Sequence, residues 1–169
     1  QQNVDPSEIA ILYRNNWDVR DLMDMFIRLE IPFRLEAKFN ILEDKNISNL
    51  ITLLEFIQDF NKEHLLFFIL NFNFLNLNSL QIAKLTRTAA YKSLFEIMSD
   101  PQSSPSKEFL TLSEKLFNWQ KLSINRPLVE FFDHVIKESG YLDFILSEPD
   151  KVEQLNRLNT LFDELKKMN

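Results

Sequence analysis

Apolar residues recur along this chain with two periods, a short extended one near its start and a helical one over the rest. The run Ile9-Ala10-Ile11-Leu12 within residues 8–13 has the length and composition of a buried strand. Asn16 is a good N-cap, and Leu22, Met23, Phe26 and Leu29 then repeat at helical spacing, so a helix is predicted up to Glu30. Pro32 breaks it and biases the residue before it toward extended backbone, which predicts a second strand over residues 31–35. Two short strands make no stable sheet alone, so the rest of that sheet is expected outside this chain.

From about Asn46 the pattern is helical throughout. Ile47, Leu50, Ile51, Leu54 and Ile57 form one stripe, and Leu65 to Leu70 is apolar all round, as in a buried helix. Asparagine punctuates residues 71–78, after which Ser79 is read as the cap of one long helix through Leu85, Ala89, Leu94 and Met98. Residues 99–105 read as a surface loop, with Ser104 and Pro105 starting a helix that carries Phe109, Leu112, Leu116 and Trp119. A further helix runs from near Pro127 through Phe131, Phe132 and Val135 to Ser139, and Gly140 stands where a left-handed residue would end it. The last helix, from about Pro149, carries Leu155, Leu158, Phe162 and Leu165 on one side, with lysines in its final turn to complement the helix dipole. No solenoid period is present. The predicted fold is mainly α: a small strand-helix-strand piece followed by an irregular multi-helix domain.

Composition narrows the chemistry. The 169 residues include no cysteine and one glycine, which excludes disulfides, thiolate chemistry and the glycine-rich phosphate loops. Sixteen phenylalanines and sixteen asparagines beside that lone glycine fit a helical fold with little need of glycine turns. The net charge of -6 argues against indiscriminate nucleic-acid binding but leaves room for a local basic stripe. No apolar run is long enough to span a bilayer and no signal-like segment opens the chain, so no membrane partner and a cytoplasmic location are expected. The polar start without Met points to a piece of a longer polypeptide.

Groups for catalysis are sparse. His64 and His134 read as boundary or partly buried histidines rather than general bases. Asp18, Asp21 and Asp24 share a helix spacing that could suit a metal, although a solvated face is the commoner reason for such a pattern. Trp17 and Trp119 could stack on bases, yet each sits within an apolar helical pattern and reads as core or hinge packing. No catalytic residue and no metal site is assigned.

The opening segment adds a resemblance. Residues 9–16, IAILYRNN, followed by Arg20 and by Ile31-Pro32-Phe33, resemble the IAVLYRxN…SR…IPY segment of the UvrD/PcrA/Rep group of superfamily 1 DNA helicases. The likeness continues in order: Ile47 to Leu54 is similar to the family's EIKDLLAYL helix, Phe68-Ile69-Leu70-Asn71 to its RILN run, Ser139-Gly140-Tyr141-Leu142 to its SGYL, and Asn156-Arg157-Leu158-Asn159 to its RxxN element.

The resemblance implies an internal fragment of an ATP-dependent 3′ to 5′ DNA helicase. Residues 1–36 would be part of motor domain 2A and residues 37–169 the helical 2B insertion, with the flanking motor domains of the same chain as partners. ATP and Mg²⁺ would be bound by the parent protein, with no cofactor in this fragment, which alone is expected to be inactive. Arg14 and Asn16 match family residues that contact the backbone of single-stranded DNA, and Arg20 matches a further family arginine. Each keeps a structural alternative: Arg14 as an exposed strand-end charge, Asn16 as an N-cap, Arg20 as an ion-pair partner of Asp18 or Asp24. Where the family has two glycines entering 2B this chain has Ala37-Lys38, and where it has a Gly-Ile-Gly hairpin facing duplex DNA this chain has Asn76-Leu77-Asn78. Asparagine tolerates left-handed backbone, so the turn can persist, but Phe74 and Leu75 replace the flanking cations and duplex contact at a junction is expected to be weak. Phe72, Phe74 and Leu77 are expected to pack inward or to meet a protein surface. The competing reading is a stand-alone helical protein-interaction module that uses Phe-rich surfaces and has no helicase activity.

Overall fold

The computed structural model describes residues 5, 9–14, 18–34, 40–89, 92–103 and 106–167. Among them the secondary structure is helical and no strand is formed. Residues 9–13 and 31–34 are irregular, which corrects the two predicted strands where they are described. A strand exists only with a hydrogen-bonded neighbour, and neither segment has a ladder to join. The chain divides into two packing units, residues 1–40 and 41–169.

In the first unit, α1 (Asp18–Arg28) buries Val19 and stops two residues before the predicted end. Its C-terminus is a Schellman motif: the Ile31 N–H donates to the Phe26 carbonyl at 2.9 Å and the Glu30 N–H to that of Ile27 at 3.2 Å. Such a cap needs a left-handed residue, and Glu30 supplies it at φ +53°. Pro32 follows, where the helix cannot continue, and the Phe26 and Phe33 rings meet at 5.6 Å across the turn. The predicted N-cap Asn16, together with Trp17, lies outside the described residues. Glu30→Gly is expected to stabilise this unit by about 0.5–1 kcal/mol, since relief of left-handed strain outweighs glycine's entropy cost. Slower backbone amide exchange in α1 is the readout, and faster exchange would contradict it.

The second unit is built from α2 (Lys45–Gln58), α3 (Glu63–Ile69), α4 (Ser79–Thr88), α5 (Leu94–Ser99), α6 (Lys107–Asn125), α7 (Leu128–Glu138), α8 (Tyr141–Ser147) and α9 (Lys151–Lys167). The stripes predicted for α2, α6 and α7 supply the core, in which Ile47, Leu50, Phe109, Leu116, Trp119, Phe132 and Val135 are fully buried. Phenylalanine does much of the joining: Phe56, Phe60, Phe95 and Phe117 form a chain of ring contacts at 4.6–5.9 Å that ties α2 to α5 and α6.

α2 is capped by Asp44, whose Oδ1 accepts from the N–H groups of Asn46 at 2.9 Å and Ile47 at 3.0 Å. Three expectations are corrected. The long helix from Ser79 to Met98 is two helices: Ser93 caps α5 by accepting from the Glu96 N–H at 3.1 Å, the Ser-x-x-Glu spacing that marks a helix start. α4 itself is capped by Asn78 rather than Ser79. α3 is not buried all round, because Phe67 and Phe68 stay half exposed while Leu66, Ile69 and Leu70 face the core. The Ser104-Pro105 start of α6 lies outside the described residues, and the N-cap of α6 is Ser106. No helix among the described residues is long and apolar enough to cross a membrane.

Candidate nucleic-acid interface

Two places carry the residues singled out from the sequence, one in each unit. In the first, Arg14 is exposed at a bend, preceded by exposed Ile11 and Leu12 and half-buried Tyr13. Asn16 lies outside the described residues, and Arg20 is described only as a backbone position within α1. Arg14 thus presents a guanidinium to solvent, able to give two fixed donors to a phosphate. Asp21 and Asp24 of the acidic helix spacing are exposed on α1.

In the second unit, the Asn71 to Asn78 stretch is a folded turn. A 3-10 turn over Asn73–Leu75 buries Phe74, whose ring stands edge-on to Tyr141 at 5.3 Å, and Phe72 lies beside it at 5.4 Å. Phe72 and Phe74 therefore pack inward, and Leu77 is half-buried against the same core. Asn76 adopts left-handed backbone at φ +49° and donates its N–H to the Asn73 carbonyl at 3.1 Å. Asn78 has ordinary backbone and uses its side-chain oxygen on the Leu80 N–H at 2.9 Å and the Gln81 N–H at 3.4 Å. Asn76 and Asn78 thus do different work, one bending the chain and one starting α4.

Beside this turn is a cleft of about 300 Å³ between Asn76-Leu77 and α6. Lys107 and Lys115, both lining it, bring cations to a loop that has none of its own. The Lys115 Nζ donates to the Glu138 carbonyl at 2.8 Å. Glu108 also lines the cleft, and its carboxyl is held below the usual range by its own backbone N–H at the start of α6 and then by the Ser106 hydroxyl. It stays ionised and offsets one of the two ammonium groups. Sequence reasoning misses these lysines because nothing local to the loop announces them; they arrive on α6 through tertiary packing.

Among the described residues the remaining titratable groups do not converge. His64 is exposed, and His134 has its Nε2 3.1 Å from Glu138, whose Oε2 also accepts from the buried Trp119 indole at 2.9 Å. Trp119 is thereby fixed in the core and offers no face to a base. No group of three His, Cys, Asp or Glu among the described residues could hold a metal ion.

Residues 1–120 match the family described as the UvrD-like helicase C-terminal domain. The chain is 27% identical over 172 residues to the ATP-dependent DNA helicase Rep of Buchnera aphidicola subsp. Schizaphis graminum, covering 95% of this chain and 26% of that protein. It is 26% identical over 162 residues to the ATP-dependent DNA helicase PcrA of Staphylococcus epidermidis, covering 92% and 22%. It is 24% identical over 173 residues to the ATP-dependent DNA helicase Rep of Buchnera aphidicola subsp. Acyrthosiphon pisum, covering 95% and 27%. The chain spans about a quarter of the length of these relatives.

Proposed function

Because the chain belongs to the UvrD-like helicase C-terminal domain family, we propose that it is a segment of an ATP-dependent DNA helicase that moves 3′ to 5′ on single strands in the cytoplasm. Residues 1–36 supply part of motor domain 2A, and residues 37–169 form a 2B domain that turns relative to the motor. The family match over residues 1–120 is the observation that carries this reading. The surface of the first unit supports it: Ile9, Ile11, Leu12, Ile27 and Leu29 are exposed, and such apolar surface on a small unit calls for neighbouring elements to cover it. ATP and Mg²⁺ are handled elsewhere in the parent, because a chain with one glycine has no phosphate loop of its own.

In this reading Arg14, with Asn16 and Arg20 near it in sequence, contacts the single-strand backbone. Backbone contacts set register and strength rather than sequence choice, which suits a motor that must move over any sequence. The Asn76-Leu77-Asn78 turn faces the duplex junction only weakly. Its own cations are missing, and Lys107 and Lys115 are partly neutralised by Glu108.

Arg14→Ala in the full-length parent is the test. It is expected to weaken single-strand binding by about 1–3 kcal/mol, the scale of a lost charge-assisted contact, and to lower the salt slope by about one. Its thermal midpoint should hold, since the side chain is exposed. An unchanged affinity and slope would leave Arg14 a plain surface charge and remove this contact from the mechanism.

A further inference from the structure

A second, larger groove of about 770 Å³ runs between α2 and the α3 segment, and the helicase reading makes no use of it. Its polar side comes from α2, where Asn46 and Asn49 stand one helical turn apart, both half-buried. Asn73, from the 3-10 turn, adds a third amide. None of these three side chains makes a hydrogen bond within the described residues, whereas the amide of nearby Asn71 already donates to the Phe67 carbonyl at 2.8 Å. The apolar side is formed by Phe67 and Phe68, 50% and 57% exposed, with rings edge-to-face at 6.0 Å.

Charge decides what such a groove can hold. Its lining carries one cation, Lys45, and one anion, Glu148, so it is neutral on a chain of net charge -6. A nucleic-acid strand would bring one negative charge per nucleotide to a surface with no excess of cations to release counterions. A side-chain amide offers one acceptor oxygen and two donor hydrogens, which matches the acceptor and donor of a peptide bond. Aromatic anchors inside a polar rim are the usual composition of a protein-binding surface, and the volume lies within the range of real binding clefts.

We propose that this groove binds an extended, uncharged polypeptide segment of a partner protein. Phe67 and Phe68 receive one large apolar side chain of the segment, and the amides of Asn46, Asn49 and Asn73 pair with its main chain. The neutrality of the lining makes the contact insensitive to salt, in contrast to any phosphate contact elsewhere on the chain.

The test uses the intact chain labelled with nitrogen-15 and titrated with a pool of capped octapeptides that lack charged residues and carry Phe or Leu at one central position. Saturable shifts are expected at the side-chain amides of Asn46, Asn49 and Asn73, with the same midpoint at low and high salt. Phe68→Ala and Asn49→Ala should each weaken binding by about fivefold or more. Both side chains lie outside the buried core, so the thermal midpoint should be kept, and Asn73→Ala provides a third variant on a different element. Absence of saturable shifts at these amides would overturn the proposal, as would equal binding by folded variants. Tighter binding of a single-stranded oligothymidylate at the same amides, falling with salt, would replace the peptide with nucleic acid and equally overturn it.

Discussion

Gly140→Ala is expected to destabilise the 41–169 unit by about 2–5 kcal/mol, a large part of the stability of a small domain. Gly140 sits at φ +82° between α7 and α8, and its carbonyl accepts the first hydrogen bond of α8, from the Phe144 N–H at 3.0 Å. A Cβ there would meet two separate penalties. Left-handed backbone costs an ordinary residue about 1–2 kcal/mol. The added carbon would also stand 2.8 Å from the Phe74 carbonyl oxygen, closer than such atoms approach, and the obstacle is backbone rather than a side chain that could swing away. Relief requires the turn carrying Phe74 to shift, and that turn holds the Phe74 ring against Tyr141. Overpacking of this kind adds about 1–3 kcal/mol. Urea denaturation followed by far-UV circular dichroism measures the sum. Asn76→Gly, at another left-handed position of the unit, should change stability by no more than about 0.5 kcal/mol, because asparagine tolerates that backbone and glycine's entropy cost offsets the relief. A loss below about 1 kcal/mol for Gly140→Ala would mean that the Phe74 turn yields freely.

Arg157→Ala should cost about 2–3 kcal/mol by the same measurement, somewhat below the value for breaking a fully buried ion pair because Arg157 keeps some solvent. Its guanidinium joins α9 to the start of α2 by pairing with Asp44, and it also pairs with Glu153 on its own helix. Asp44 is the more enclosed partner, with its side chain 12% exposed against 23% for Arg157. Removing the arginine leaves that carboxylate with the Asn46 and Ile47 N–H groups but no countercharge. Tyr141 is close enough for the Asp44 charge to act on it, and its phenol is pushed up mainly by burial and then by that charge, so it stays neutral. Asp44→Ala should cost more than Arg157→Ala, since it also removes the cap of α2, worth about 1 kcal/mol. The double variant should cost less than the two singles together, because the carboxylate that suffers in Arg157→Ala is then absent. Strict additivity would show that the pair is energetically idle.

Much of the helical architecture can be read along the chain. The stripes of α2, α6, α7 and α9 repeat at the helical period, because an amphipathic helix has one way to hide its apolar side; α6 and α7 bury every residue their stripes name, whereas Ile51 and Leu54 of α2 and Leu155, Phe162 and Leu165 of α9 are only half-buried against the core. Gly140 and Asn76 are also legible, since few residues accept left-handed backbone and both stand between apolar runs. The Ser93-to-Glu96 spacing marks a helix start as well, but the continuous apolar pattern across residues 79–98 conceals it. Arg14 is legible as a candidate contact through its place in IAILYRNN, while its exposure is decided by the fold.

What stays hidden depends on elements distant in sequence. Asp44 and Arg157 are 113 positions apart, and no local pattern ties a cap of α2 to the flank of α9. Lys107 and Lys115 reach the Asn76 turn only because α6 packs there. Phe67 and Phe68 belong to an apolar run that reads as buried on every side, yet a helix of seven residues has too few neighbours to cover its whole circumference. The segments at 9–13 and 31–34 show the converse case, in which an apolar pattern states a preference for extended backbone but a strand appears only when another backbone supplies the hydrogen bonds. Periodicity reports which side of an element prefers to leave water; which surfaces meet, and which charges and aromatic rings remain for a partner, follows from how the helices pack against one another.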